Sequence, residues 1–349
     1  MSKYSSYRNK WLSFLLDKKA ITVTTLLFIV TVALLIISVG TGDLQIAPLD
    51  VVKSFFGAGN EMNELVIKEF RLPRVLLAFL SGIALAVAGA ILQGIIRNPL
   101  ASPDIIGITG GASFAAVLFL TIFADNATSI TVGIEWLPFA AFLGALGTGL
   151  LVYLLSWNNG VTPIRLVLIG IGLAAAMQAL TNMMIILGPL YLASQAHIWI
   201  TGSINGANWN QVLTLAPWVF TILILVFIYI RNLNIQELGE EIAKGFGSWV
   251  QKDRLILLLF STALAGGAVA FVGGIGFVGL MAPHMARKLV GSSFGALIPT
   301  AALIGAIVVM AADLVARTVI APLEIPAGVF TAAIGAPYFI YLLYRTRNQ

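Results

Sequence analysis

Charged and polar side chains are scarce in this chain, so their types and spacing carry most of its chemistry. Asp313 and Arg317 stand four residues apart, which puts both on one helix face and within reach of an ion pair. Arg71 and Arg74 enclose Leu72-Pro73 in a short RLPR segment, where Pro73 suits a helix start. Gln93, Gln178 and Asn182 are the other main polar groups inside long apolar runs. An ionisable group in such a run is a functional candidate, and Asp313 has two readings, an ion pair near the membrane boundary or a proton carrier. A proton relay needs several buried carboxylates or histidines, so the ion pair is expected. His197 and His284 are the only histidines, and neither has a nearby ligating partner in sequence. A metal site needs convergent ligands, so none is expected. No catalytic triad, HExxH sequence, Gly-x-Ser-x-Gly elbow or GxxxxGK[ST] phosphate loop occurs, so neither enzymatic chemistry nor ATP binding is read here. The absence of cysteine excludes disulfides and thiolate sites.

The elements that position these residues are membrane helices. Hydrophobic residues make up 59% of the 349 positions and charged ones 10%, with a mean hydropathy of +0.97. A soluble domain carries about 25% charge, so lipid is the solvent. The apolar runs are too long and too little alternating for barrel strands of roughly ten residues. About ten spans are expected, near 20–40, 72–96, 104–123, 136–157, 164–187, 211–230, 254–273, 275–290, 295–316 and 327–344. The pair around Gly273-Gly274 reads as one long helix or two short ones about a turn. Residues 1–19 form a basic tail and 20–345 the helical domain. The first run exceeds the roughly 7–15 residues of a secretory signal core, so it is read as a retained span.

Basic residues hold short loops on the cytoplasmic side. Fifteen of the twenty lysines and arginines then face inward, and Lys53, Lys68, Arg71, Arg74 and Arg317 face outward. Both termini are expected in the cytoplasm of a multi-pass plasma- or inner-membrane protein. The bases do not cluster as nucleic-acid binding would require. The external segment 40–69 is mildly amphipathic. The inner loop 232–253 is charged and reads as a short helix exposing Glu240, Glu241 and Lys244. Small-residue runs such as Ser81 to Gly94 and Ala263 to Gly279 predict close helix crossings. The external arginines have two readings of their own, snorkelling at helix ends or pairing with acidic groups of a partner or substrate.

From about Val66 to Arg345 the sequence resembles the FecCD family of ABC-importer permeases, which serve iron siderophores, haem and vitamin B12. The resemblance rests on RLPR, RNPLASPDIIGI (Arg97 to Ile108), LGEEIAKGFG (Leu238 to Gly247), GFVGLMAPHMAR (Gly276 to Arg287), ADLVAR (Ala312 to Arg317) and EIPAGVFTAAIGAPYF (Glu324 to Phe339), in that order. It implies a type II importer architecture: two ten-helix permeases, identical or sister chains, over two ATP-binding subunits. An extracytoplasmic binding protein delivers the cargo, with a ferric siderophore favoured over B12 or haem. A proton-coupled secondary transporter is the alternative of another class.

The resemblance also implies roles. Arg71, Arg74 and Arg317 match arginines that receive glutamates of the binding protein. Leu238, Gly239, Glu241, Ala243 and Gly247 match the pattern of the ATPase-coupling loop, with Glu240 beside them and Phe246 where relatives carry Leu. The inner gate falls at Thr162, Pro163 and Ile164. After Gly291, Ser293, Phe294 and Gly295 replace an Asp-His-Arg segment common in relatives. No cofactor and no resident metal are implied.

Overall fold

A computed structural model describes residues 4–8, 13–42, 44–123 and 132–346. Lys3, Lys10 and Arg347, assigned above to the inner side, lie outside these residues. The tail holds a hairpin absent from the sequence reading, β1 (Tyr4–Arg8) antiparallel to β2 (Ser13–Asp17). Asp17 then caps α1 (Lys18–Gly40), its carboxylate accepting from the N–H groups of Lys19 and Ala20.

Two short helices, α2 (Pro48–Phe55) and α3 (Glu61–Leu65), precede the central one. From Glu61 the chain stays helical through a π-helical turn, Val66–Arg71, into α4 (Leu72–Ile96). Pro73 stands in the first turn of α4, as expected of a helix start, although the chain is already helical before it. The π turn has already shifted the hydrogen bonding by one residue, with Leu72 N–H reaching Ile67 O, so an amide without a proton is tolerated there.

α4 is the axis of the bundle and is buried along almost its whole length. It packs against α12 (Val250–Val272), α13 (Val278–Val290) and α14 (Phe294–Thr318). Glycine sets these crossings: a methyl group on Gly82 would strike the Gly305 carbonyl, and one on Gly89 the Gly279 carbonyl. Where lipid removes the hydrophobic force between helices, such backbone approach supplies the packing.

The second layer is α5 (Ile108–Ile122), α6 (Leu137–Leu155) and α7 (Pro163–Leu187). α5 begins four residues later than expected, because residues 102–107 fold into turns closed by Gly107 at φ +84°. Between the fifth and sixth spans lies a helix the sequence reading left out, α8 (Leu190–Thr201). α9 (Trp209–Ile228) starts at a reciprocal cap between Asn208 and Gln211. Two short helices follow, α10 (Ile230–Glu237) and α11 (Glu240–Gly245), where one was expected. The chain ends in α15 (Ala327–Thr346).

Gly273 and Phe277 both take positive φ, +68° and +67°, so α12 and α13 are separate helices about a turn. The Gly273 position admits no side chain, since a Cβ would meet Trp199 O at the end of α8. Among the described residues, eight helices are long and apolar enough to span a membrane. The fold is polytopic and all-α; α5 is a shorter apolar helix of 15 residues and α13 has 13, so each reaches only about 20 Å at 1.5 Å per residue, against about 30 Å for a bilayer core.

Candidate docking and coupling sites

Arg74 lies in the first turn of α4, where the π turn aims it across the bundle at α14. Its Nε donates to Asp313 Oδ1 and Oδ2 at 3.0 and 3.2 Å, and Nη2 donates to Oδ1 at 2.9 Å. Its Nη1 donates to Glu324 Oε1 and Oε2 at 2.8 and 3.1 Å. Asp313 is 2% exposed, Arg74 14% and Glu324 32%, so one face of the guanidinium is sealed and the other is open. The expected pair within α14 is looser, with Arg317 Nε 3.7 Å from Asp313 Oδ2. The better partner of Asp313 is Arg74, a contact that helical spacing cannot reveal.

Arg71 and Arg317 converge instead on the end of α1. Arg71 Nη1 donates to Val39 O and Gly40 O, both at 3.0 Å, and its Nη2 donates to Leu44 O. Arg317 Nη1 donates to Thr41 O at 2.6 Å and Nη2 to Ser38 O. The last carbonyls of a helix lack internal partners and favour cations, so both arginines act as side-chain caps. The three arginines assigned to docking thus stand together at one end of the bundle, around Asp313. The remaining cations at this end are paired locally, Lys53 with Asp50 and Lys68 with Glu64.

At the opposite end, Gly239 at φ +116° separates α10 from α11. Leu238, Ile242, Phe246 and Trp249 are exposed there, while Ala243 is buried. Glu241 is exposed, but Glu240 is half-buried, contrary to expectation. Its carboxylate lies 3.0 Å from Lys244 Nζ and 3.5 Å from Arg254 Nη2. Burial pushes the Glu240 carboxyl up, but the Lys244 hydrogen bond and the charges of Arg254 and Lys244 outweigh it and hold it below 4.5. Gly247, at φ +77°, closes the segment.

Arg254 itself is 3% exposed and donates through Nη1 to Val161 O. Gln251 holds the same residue, accepting from Val161 N at 2.9 Å. Val161 immediately precedes the predicted gate: Thr162 is extended, Pro163 opens α7, and Ile164 is exposed. Arg165 Nε donates to Thr162 Oγ1 at 3.2 Å. The segment expected to couple and the segment expected to gate are therefore joined through one buried guanidinium, Arg254, which sequence alone shows only as an inward charge. Phe294, in the segment that departs from relatives, is a fully buried core side chain whose N–H donates to Asn234 Oδ1 of α10.

The sequence reading also missed Asp104. It ties two helix starts together, accepting from Thr109 Oγ1 at 2.7 Å and from Phe277 N at 3.3 Å, beside an apolar cavity of about 320 Å³. It stands at the head of the expected span 104–123 and inside the RNPLASPDIIGI motif, where its partner Phe277 lies 173 residues away and leaves no local signal. Gln93 donates to Leu280 O at 3.2 Å, and Gln178 to Asn182 on the open face of α7 at 3.2 Å. His284 lies edge-on to Tyr338. Among the described residues no three His, Cys, Asp or Glu side chains gather as metal ligands. A cleft of about 1000 Å³ between α6, α8, α9 and α12 contains none of the predicted site residues.

The FecCD transport family profile matches residues 29–345. The chain belongs to this family. This FecCD permease is 58% identical to the "Probable siderophore transport system permease protein YfhA" of Bacillus subtilis, over 95% of this chain and 97% of that one. It is 45% identical to the iron(3+)-hydroxamate import system permease protein FhuG of the same organism, over 94% and 98% of the two chains. Among solved structures it resembles a metal-chelate type ABC transporter in an inward-facing conformation. The TM-score is 0.80 at 31% identity, covering 93% of this chain and 99% of the other.

Proposed function

We propose that this FecCD permease carries a ferric siderophore inward across the cytoplasmic membrane, driven by ATP hydrolysis on a separate subunit. The observation that carries this reading is near full-length likeness to permeases named for siderophore and ferric-hydroxamate transport, joined to the fold of a metal-chelate transporter. Two ATP-binding subunits, a second permease chain and an extracytoplasmic binding protein complete the assembly, and both termini face the cytoplasm.

Arg71, Arg74 and Arg317 receive acidic side chains of the binding protein. The ATPase seats on α10–α11, where Leu238, Ile242, Phe246 and Trp249 offer an apolar face and Glu241 an open charge. Gly239 gives the hinge a backbone shape that side-chain-bearing residues rarely adopt. The second permease and the path lie against α7, whose exposed Gln178 and Asn182 are costly to leave in lipid. Thr162, Pro163 and Ile164 form the inner gate, and motion of the coupling loop reaches it through Arg254 and Val161. The cargo arrives already chelated, so the path needs no metal-ligand cluster.

The test is uptake of radiolabelled iron by a deletion strain supplied with a panel of ferric siderophores, haem and cobalamin. Loss of uptake for one or more siderophores, restored by the gene, is expected. Loss confined to cobalamin or haem, or uptake by the chain alone in liposomes without ATPase or binding protein, overturns the reading.

A further inference from the structure

Three carboxylate-seeking arginines stand at the docking end, but they are not equally available. Arg71 and Arg317 are spent on main-chain carbonyls at the end of α1. Drawing either away would strip a donor from the end of α1, from Val39 O in the case of Arg71 and from Ser38 O and Thr41 O in the case of Arg317, while Gly40 O would keep the Ile46 N–H. Arg74 differs, because one of its partners has the same chemistry as an incoming acidic side chain and stands at the surface. Asp313 cannot leave: it is 2% exposed and also faces Arg317. Glu324 can, being 32% exposed, and among the described residues its side-chain hydrogen bonds run to Arg74 alone.

We propose that Glu324 stands in for the binding protein's carboxylate on Arg74, and that docking proceeds by exchange of one carboxylate for the other. The inference rests on the docking role proposed for Arg74. Replacing carboxylate by carboxylate leaves the charge balance around the buried Arg74–Asp313 pair unchanged, so the exchange avoids the penalty of stranding a buried charge. The surroundings suit a protein partner. Val319, Ile320 and Leu323, on the turn that carries Glu324, are all exposed, and an apolar surround excludes water from a central ion pair.

Glu324 sits on the turn between α14 and α15, and the Ile325 N–H anchors that turn to Ala316 O at 3.2 Å. One turn later, Gly328 N–H donates to Gly202 O at the end of α8 at 3.0 Å. A methyl on Gly328 would collide with Thr201 O. Releasing Glu324 removes the side-chain tie of this turn to α4 while both main-chain anchors stay, so the lead into α15 keeps its contact with α8 during the exchange.

The experiment measures the Kd of the substrate-free binding protein for the permease–ATPase complex in lipid nanodiscs. Glu324→Gln removes the competing charge and should tighten docking by about 5-fold or more, the low end of site-to-site coupling, while Glu324→Asp returns it toward wild type. A purely structural Glu324 predicts the opposite sign, so unchanged or weakened docking by Glu324→Gln overturns the exchange. The double variant Arg74→Gln/Asp313→Asn removes the docking cation without stranding its buried partner, and it should abolish binding while the complex stays monodisperse. Unchanged binding by the double variant overturns the docking role itself. Abolished binding with no tightening by Glu324→Gln leaves docking standing and removes only the exchange.

Discussion

Arg74 and Asp313, 239 positions apart in sequence, meet with Nη2 2.9 Å from Oδ1 and Nε within hydrogen-bonding distance of both carboxylate oxygens. The contact ties the head of α4 to α14 at the end of the bundle where Arg71 and Arg317 also gather. Its burial separates it from the surface pairs nearby.

Breaking this pair from one side should cost far more than breaking an exposed one. Asp313→Ala leaves Arg74 without its sealed partner and should destabilise the folded permease by about 3–5 kcal/mol. Asp50→Ala, which removes an exposed partner of Lys53, should cost about 1 kcal/mol or less. Thermal unfolding of the two detergent-purified variants makes the comparison, and equal shifts in Tm would contradict the difference in burial.

Arg71→Met should loosen the end of α1 before it affects anything else. The variant keeps an unbranched apolar stem and loses the donors to Val39 O, Gly40 O and Leu44 O. Faster amide hydrogen exchange is expected at Ile46, whose N–H donates to Gly40 O at 2.9 Å, with α14 unchanged. Reversing both charges, Arg71→Glu with Arg74→Glu, should abolish uptake while the protein still inserts.

Gly239→Val places a β-branched residue at φ +116°, a conformation such residues resist. Space is not the obstacle, since a Cβ there would meet only Arg97 Nη1 at 3.4 Å. The strain should displace α11 and lower ATPase co-purification by about 10-fold, equivalent to about 1.4 kcal/mol. Normal recovery of the ATPase would show that the α10–α11 hinge does not set its seat.

Glu240→Gln should reduce cargo moved per ATP hydrolysed, because Arg254 then holds Val161 without its link to α11. The same pair imposes a pH dependence. The folded-state pKa of Glu240 lies below its ordinary value, so its stabilising contribution is full above that ordinary value and is lost as pH falls through the folded one. Stability measured downward from pH 5 should therefore decline less steeply in Glu240→Gln than in the wild type. Identical profiles would remove Glu240 from the linkage.

The sequence alone was enough for the membrane class, the polytopic helical fold and the family. Apolar length and the placement of charge are properties of short segments, and lipid imposes them one span at a time. It also carried the crossing glycines, because close approach leaves a compositional trace. Which groups meet was decided elsewhere. Asp313 reads locally as the partner of Arg317 yet bonds Arg74, and Arg254 reads as an inward charge yet joins Glu240 of α11 to Val161. Glu324 sits inside a recognised motif but shows its role only against a side chain 250 residues away. Those contacts depend on how α4, α12 and α14 are juxtaposed by packing, and no local period or spacing encodes that juxtaposition. The turn between α12 and α13 likewise needed the end of α8 beside Gly273 to select two helices over one.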